Sequence, residues 1–584
     1  MAACRRGTAC SRGKVLGAAI GDCVHVAGVY NFLRLADEQG YETIFLGPAV
    51  PLELLVAAIG RERPDIVGIS YRLTPEAARR LLEALKKMLG DAGLDDAGHA
   101  NAANPRYVFG GTPPVARVAR ETGLFEQVFD GSEGDEATVR YLIGRGKVEG
   151  VKAYPQTLVE RIRSIQPYPV IRHHFGLPSL EETVEGVRRL AEARVLDVIS
   201  IGPDQNAQES FFRPADMDPR QDGAGGVPVR TPEDFAAIYE ASRRGNYPLL
   251  RSYSGTRDQI RMAEMLKATM NLAWGAIPLM WYNVLDGRSS RPLAQSIREA
   301  QAAMEWHARQ GIPVEVNEAH HWSLRDAPDG VAVAMAFLAA YNAKKAGVHD
   351  YIAQFMFNTP PATSPAMDLA KMLAKLELIS SLEDEGFRVW RETRTGLLSY
   401  PTDMAVAKGQ LASSVLLQMA LQPHIVHVVA HTEANHAARP EDIEEAVKIA
   451  RGAIRAALMG LPDVRETSLV MRRKQELVSD ARVILDAIRK VAPSGSGEDP
   501  WTCPATLCRA VELGILDAPH LKGNPVARGN IVTRMVNGAC RAWDPSAGRV
   551  LSEAERLARL LDDRSGALPE GPARGDAPRA DSVA

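Results

Sequence analysis

The feature that most constrains this chain is a regular alternation, from residue 14 to 147, of short and continuously apolar runs with amphipathic ones. Lys14-Val-Leu-Gly-Ala-Ala-Ile20 reads as a buried strand, 28–39 as a helix and Thr43-Ile-Phe-Leu46 as a second strand. A second helix follows over 51–61 with Pro51 in its first turn. Asp65-Ile-Val-Gly-Ile-Ser70 is a third strand. The helix after it, 75–89, has Glu76 early and Lys86-Lys87 late, as the helix dipole favours. Tyr107-Val-Phe-Gly110, 116–122, Gln127-Val-Phe129 and 136–144 complete the pattern. Strands apolar on both faces and alternating with helices mean a parallel sheet covered on both sides. Ligands of such sheets sit beyond the carboxyl ends of the strands.

A second α/β region, 168–460, has strands expected at 195–201, 249–253, 276–281, 314–316, 351–357, 387–390 and 425–430, separated by longer amphipathic helices. Seven or eight such units in nearly 300 residues suit a (β/α)8 TIM barrel, with its site among the loops after the strands. Those loops are 203–208, 254–257, 282–286, 317–321, 358–364, 393–402 and 431–436. The organisation expected is therefore an N-terminal tail (1–13), a flavodoxin/Rossmann-like sheet domain (14–147), a linker (148–167) and the barrel (168–460). A mixed, mostly helical C-terminal segment packing on the barrel (461–562) and a disordered tail (563–584) follow.

Composition narrows the function. Of 584 residues, 69 are Lys or Arg and 72 Asp or Glu; a net charge of −3 gives no field for nucleic acid or membrane. No apolar run reads as a membrane span, and Met1-Ala-Ala-Cys-Arg-Arg-Gly7 lacks the apolar core of a secretion signal. The six scattered cysteines, none in a C-x-x-C pair, fit a reducing cytoplasm and argue against structural zinc. Small-molecule chemistry, with a homodimer left open, is the expectation.

The first strand runs into Gly21-Asp22-Cys23-Val24-His25-Val26-Ala27-Gly28. A histidine on a strand-to-helix turn can project into the ligand crevice, and an adjacent carboxylate can fix its tautomer. Ser70-Tyr71-Arg72-Leu73, 41 residues beyond Gly28, and Gly110-Gly111 end two later strands. This resembles the cobalamin-binding domain, whose pattern is Asp-x-His-x-x-Gly, about 41 residues, Ser-x-Leu, then Gly-Gly. Asp22 and His25 have two residues between them where the family has one, Arg72 stands where it has leucine, and the spacing to Gly110 is about ten residues longer. The resemblance implies that His25 binds cobalt from below and that Asp22 supports it. The nucleotide tail would thread past Gly28, Ser70, Arg72, Gly110 and Gly111. The bland alternative is a flavodoxin-like sheet with no corrinoid.

Ser254-Gly-Thr-Arg-Asp258, Trp281-Tyr-Asn-Val284, Asp403-Met-Ala-Val-Ala-Lys-Gly409, Ile425-Val-His-Val-Val-Ala-His-Thr-Glu-Ala434 and Cys508-Arg-Ala-Val-Glu-Leu-Gly-Ile-Leu-Asp517 resemble the large catalytic subunit of glutamate mutase (methylaspartate mutase). The similarity is diffuse but collinear over about 170–545. It implies an adenosylcobalamin-dependent radical isomerase with the cofactor domain and the barrel fused. Glu433 matches a glutamate that binds the adenosyl ribose; the lysine four residues before it is Val429 here. The three arginines that clamp the dicarboxylate match His174, Gln208 and Tyr253, which argues against glutamate as substrate, since a dry pocket wants a guanidinium for each carboxylate. Arg251 replaces one contact if the strand register slips, and the substrate-contacting glutamate maps near Ala276. Tyr282 is retained, to bind substrate or shield the radical.

His431 or His436, beside Glu433, is a candidate polar contact, and His431 is counted with Tyr282, Glu433 and Arg251 as catalytic. The pairs His173-His174 and His320-His321 read as poor metal sites, because neighbours on a strand face opposite ways. Arg243-Arg244, Arg391-Glu-Thr-Arg394 and Arg472-Arg473-Lys474 read as solvated surface, and no lysine has the context of a pyridoxal site. The competing functions are a non-catalytic cobalamin carrier or sensor and, less in keeping with only 13 residues before the first strand, a corrinoid methyltransferase.

Overall fold

The computed structural model describes residues 12–94, 105–131, 138–139, 141–142, 154–253, 255, 257–493 and 497–562. Outside them lie Cys4 and Cys10, most of the polar insert 90–105, most of the helix expected at 136–144, Ser254 and Thr256, residues 494–496, and the tail from 563. The chain divides into two compact units, 1–153 and 154–584.

In the first unit, β1 (Lys14–Ile20), β2 (Glu42–Val50), β3 (Ile66–Ser70), β4 (Arg106–Gly110) and β5 (Gln127–Phe129) form one sheet in the order β2-β1-β3-β4-β5. Every pairing is parallel. This is the flavodoxin-like order, in which the strand sequence reverses at β1 and β3 and opens a crevice there. Helices α1 (Ala27–Glu38), α2 (Leu52–Glu62), α3 (Pro75–Asp91) and α4 (Pro113–Thr122) connect the strands. Their starts follow local chemistry: Thr74 Oγ1 accepts the Ala77 N–H, with Pro75 at the first position of α3. Continuous apolar runs fill both faces; Val15, Leu16, Ala18, Ala19 and Ile20 of β1 are fully buried.

In the second unit, eight parallel strands follow one another around a ring in chain order: β6 (Val170–Phe175), β7 (Val198–Ile201), β8 (Leu249–Ser252), β9 (Gly275–Ile277), β10 (Val314–Val316), β11 (Asp350–Phe357), β12 (Arg388–Thr395) and β13 (Ile425–His427). The Tyr253–Ala276 bridge joins β8 to β9 and closes the (β/α)8 barrel. The sequence reading lacked β6, whose Arg172, His173 and His174 mask an apolar strand. It also stopped β12 at Trp390, because Arg391-Glu-Thr-Arg394 looked like surface.

Helix 158–165, within the expected linker, belongs to the second unit and is capped by Thr157. Its Leu158 and Ile162 pack on the strand-start residues Val170, Val198, Leu249, Ile352 and Ile425, so it plugs the floor of the barrel. The C-terminal segment holds helices 468–490, 504–512 and 553–562 and a three-stranded antiparallel sheet, β14 (Thr533–Val536), β15 (Ala539–Asp544) and β16 (Arg549–Val550). Val470, Leu477, Ile484, Leu507 and Leu557 share one core with barrel helices 329–345 and 365–380. One helical stretch, 404–421, does have the length and mean hydropathy of a membrane span. Its Ala407, Leu411, Ser414, Val415 and Gln418 are buried, and their burial within the barrel unit accounts for part of that apolar character.

Candidate functional site

The residues of the first motif gather at the carboxyl edge of the N-terminal sheet. A pocket of about 380 Å³ is lined by Gly28, Ser70, Arg72, Gly110 and Gly111, together with Phe32, Thr112, Asp130 and Thr138. Its size falls at the lower end of the range of small-molecule sites. A Cβ added at Gly28 or Gly110 would meet no atom within 4 Å, so both glycines face open space where a ligand can approach the backbone. Gly111 serves packing instead: a Cβ there would lie 2.8 Å from the Tyr71 carbonyl oxygen. Ser70 is buried at the end of β3.

His25 is exposed on the loop between β1 and α1 that leads into Gly28. Its Nδ1 lies 3.9 Å from the buried Cys23 Sγ. Asp22, expected to support His25, instead accepts the Tyr71 phenol proton at 3.1 Å. The extra residue before the histidine turns the carboxylate toward β3 and puts the thiol in its place. Nothing else among the described residues engages the imidazole, so Nε2 is left to bind a ligand.

The barrel interior is polar to an extent the sequence reading did not anticipate. On β6, Arg172 and His174 share one face; so do Arg251 and Tyr253 along β8, and Glu392 and Arg394 on β12, by the two-residue period of a strand. Arg172 and Arg251 meet Glu315 Oε2 at 3.1 and 3.0 Å, and Arg172 meets Glu392 at 3.2 Å. Gln354 donates to both carboxylates, and the Trp274 indole donates to Glu315 at 2.7 Å. Burial opposes ionisation of Glu315, but Arg251 and Arg172 hold its carboxyl below the ordinary value; burial keeps Glu392 above it in spite of Arg172. Arg251 therefore joins the interior with no slip of register, committed to Glu315 and 4.7 Å from the Tyr253 ring centre.

The Arg391–Arg394 stretch is not solvated surface: Glu392 and Arg394 are buried because β12 runs on to Thr395 and lines the barrel. Arg473, also expected on the surface, is buried against Asp329 at 2.9 Å. Arg243 is half-buried and donates to Ser242.

Histidines surround the mouth of the barrel. His174 stacks on Tyr253 with ring centres 5.6 Å apart and meets His427 edge-on at 4.6 Å. His320 and His321 lie on a short helix, 319–323, not a strand, so their rings come together at 4.5 Å instead of diverging. Burial, reinforced by guanidiniums nearby, keeps His174, His320, His321 and His427 well below the ordinary histidine value, hence neutral near pH 7. His173 faces away and accepts the Ala430 N–H. Among the described residues no cluster of His, Cys, Asp and Glu could hold a metal ion.

Tyr282 stands in the left-handed region at φ 63°, unusual for a bulky residue. Its N–H donates to Asp286, its carbonyl accepts from Arg291, and the Arg288 guanidinium lies 4.5 Å from its ring centre. Burial pushes its phenol up to about 12. Its ring meets His321 edge-on at 6.0 Å. Gln208 gives its amide to the Pro203 carbonyl. His431 is buried 3.5 Å from Glu445 on helix 440–459, and Glu433 is exposed on the loop after β13.

The sequence reading missed Glu318. It is wholly buried, accepts the Met280 N–H at 2.7 Å, and is pushed up to about 8 by burial. Its place three residues after Glu315, at the end of β10, was the available signal.

No curated protein matches the chain. Among solved structures, a cobalamin-binding protein from Desulfitobacterium hafniense DCB-2 is 26% identical over 20% of this chain and 52% of its own, with a TM-score of 0.17. The methanol:cobalamin methyltransferase complex MtaBC from Methanosarcina barkeri is 20% identical over 22% of this chain and 45% of its own, with a TM-score of 0.19. A 2,3-dimethylmalate lyase, a member of the PEP mutase/isocitrate lyase superfamily, is 13% identical over 56% of this chain and 97% of its own, with a TM-score of 0.26. The chain covers about half the length of the first two. Residues 13–139, which hold the whole of the pocket and the His25 loop, match the family model described as the B12 binding domain. The N-terminal unit of this chain is a cobalamin-binding domain.

Proposed function

We propose that the chain is an adenosylcobalamin-dependent radical isomerase, of the carbon-skeleton mutase kind, acting on a small substrate other than glutamate. The observation that carries the reading is the N-terminal pocket, lined by Gly28, Ser70, Arg72, Gly110 and Gly111, with the free face of His25 on the loop beside it, in a chain whose larger unit is a closed barrel. The residues fit the cofactor: glycines without Cβ give room, Ser70 offers a hydroxyl, and the imidazole has one nitrogen turned to Cys23 and the other free. When bound, adenosylcobalamin supplies homolysis of a weak cobalt–carbon bond and with it a radical able to abstract hydrogen.

The barrel residues have three tasks. Tyr282, held rigidly by Asp286 and Arg291, orients substrate and shields the reactive centre. His174, uncharged and stacked on Tyr253, presents with it donors where a glutamate clamp would need guanidiniums. The closed wall of strands excludes water and other quenchers. Glu433 is assigned to the adenosyl ribose, and Gln208 and His431 to the outer edge of the substrate pocket.

The test begins with the absorbance spectrum of adenosylcobalamin mixed with the full chain and with His25→Ala. A base-off, histidine-ligated spectrum is expected for the parent only, and a parent spectrum identical to free cofactor removes the proposal. Small acids and acyl thioesters are then screened for a substrate-dependent paramagnetic signal. Silence with every substrate, on a chain that binds the cofactor, makes it a carrier.

A further inference from the structure

The barrel interior holds one guanidinium more than its carboxylates receive. Arg172 is shared by Glu315 and Glu392, and Arg251 is paired with Glu315. Arg394 lies one strand period beyond Glu392, at the carboxyl end of β12. It is only 8% exposed, yet among the described residues it forms no ion pair or hydrogen bond, and its Nε is fully enclosed without a partner. A guanidinium cannot escape this by losing its proton, and an unpaired buried charge is costly.

The groups around it do not neutralise it. His174, His320, His321 and His427 are uncharged. The Lys375 amine, brought down to about 7 by burial, adds positive charge on the His320 side. Glu433 feels the field of Arg394 but forms no ion pair with it. What remains is a planar fork of donors at the end of a barrel strand, with imidazole and phenol donors beside it. The surplus guanidinium itself carries a single positive charge. A monoanionic carboxylate matches that fork in a bidentate way and its charge; a phosphate dianion carries a second negative charge that the neutral histidines do not meet.

We infer that Arg394 anchors a carboxylate of the substrate, so that the barrel takes a small organic acid bound through one carboxylate group. The inference rests on reading the barrel mouth as the substrate site, and names the class of molecule that enters it.

The test uses the full chain without cofactor, with propionate, lactate, succinate and inorganic phosphate as probes in calorimetric titration and thermal melts. Carboxylates are expected to bind and raise the melting temperature. Arg394→Met weakens them about 10- to 100-fold while raising the ligand-free melting temperature, because it removes an unpaired charge. Arg394→Lys, which keeps the charge but not the fork, falls between and serves if the methionine variant does not fold. Failure of every carboxylate to bind the parent, equal binding by both variants, tighter binding of phosphate, or a lowered ligand-free melting temperature in Arg394→Met each overturns the inference. Adenosylcobalamin is then added to portions of the same preparations and its spectrum is read. If it stays base-off while carboxylates fail, only this inference falls; if carboxylates bind and the spectrum stays that of free cofactor, the isomerase reading falls and the anion site stands.

Discussion

Neighbouring glycines 110 and 111 divide two tasks that a motif reading merges. Gly110 leaves free volume for a ligand, and Gly111 lets β4 pass close to the Tyr71 carbonyl. Gly110→Val is therefore expected to keep the melting temperature of the N-terminal unit and lose cobalamin binding, as read by equilibrium dialysis. Gly111→Ala should destabilise the unit by about 1–3 kcal/mol through overpacking; equal behaviour of the two variants contradicts the division. Glu318 makes a prediction in pH. Its carboxyl is raised from an ordinary 4.5 to about 8, so the folded chain holds a proton that the unfolded chain releases. Stability from this group is complete below pH 4.5 and is lost as pH rises to 8. Relative to the parent, Glu318→Gln should gain about 2–4 kcal/mol between pH 5 and 8.5. Urea melts at the two pH values check this, and a pH-independent difference refutes it.

Among the elements, helix 158–165 shows how a connector becomes part of a fold. Its length and composition read as a link, but Thr157 caps it, Arg161 donates to the Asn246 and Tyr247 carbonyls, and Ile162 enters the barrel floor. Ile162→Ala is expected to cost about 2–4 kcal/mol, against about 0.5 kcal/mol or less for exposed Arg163→Ala, both read from tryptophan fluorescence in a urea titration. Most elements of the N-terminal unit were legible, because β1 and β3 are continuous apolar runs buried on both faces and α3 and α4 begin at Pro75 and Pro113, whereas β2, largely exposed or half-buried, runs on past its apolar stretch to Val50. In the barrel, β6 and the second half of β12 were not legible. Arg172, His174, Glu392 and Arg394 spoil the apolar pattern, and a charged residue on a strand is read as outward until the strands close around it.

Over the whole second unit, the C-terminal segment and the barrel are joined by charge as well as by apolar packing. Asp329 takes Lys371 at 3.2 Å and Arg473 at 2.9 Å, and its Oδ2 also accepts the Cys540 N–H. Asp329→Asn leaves two buried cations short of a partner and should cost about 3–5 kcal/mol. A drop in the melting temperature of the barrel unit is the expected reading; an unchanged one would mean that the segment is held by its apolar face alone.

The amino-acid order by itself determined the parallel sheet, the barrel and the His25, Gly28, Ser70 and Gly110 constellation, since these depend on local period, turn chemistry and spacing along the chain. Tertiary structure alone decided that Cys23, not Asp22, stands beside His25, because one inserted residue rotates a loop by an amount no spacing rule contains. It also decided that Arg172, Arg251, Arg394, Glu315 and Glu392 face each other. They come from four strands scattered over more than 200 positions, and only closure of the ring removes the water that would otherwise have been their partner.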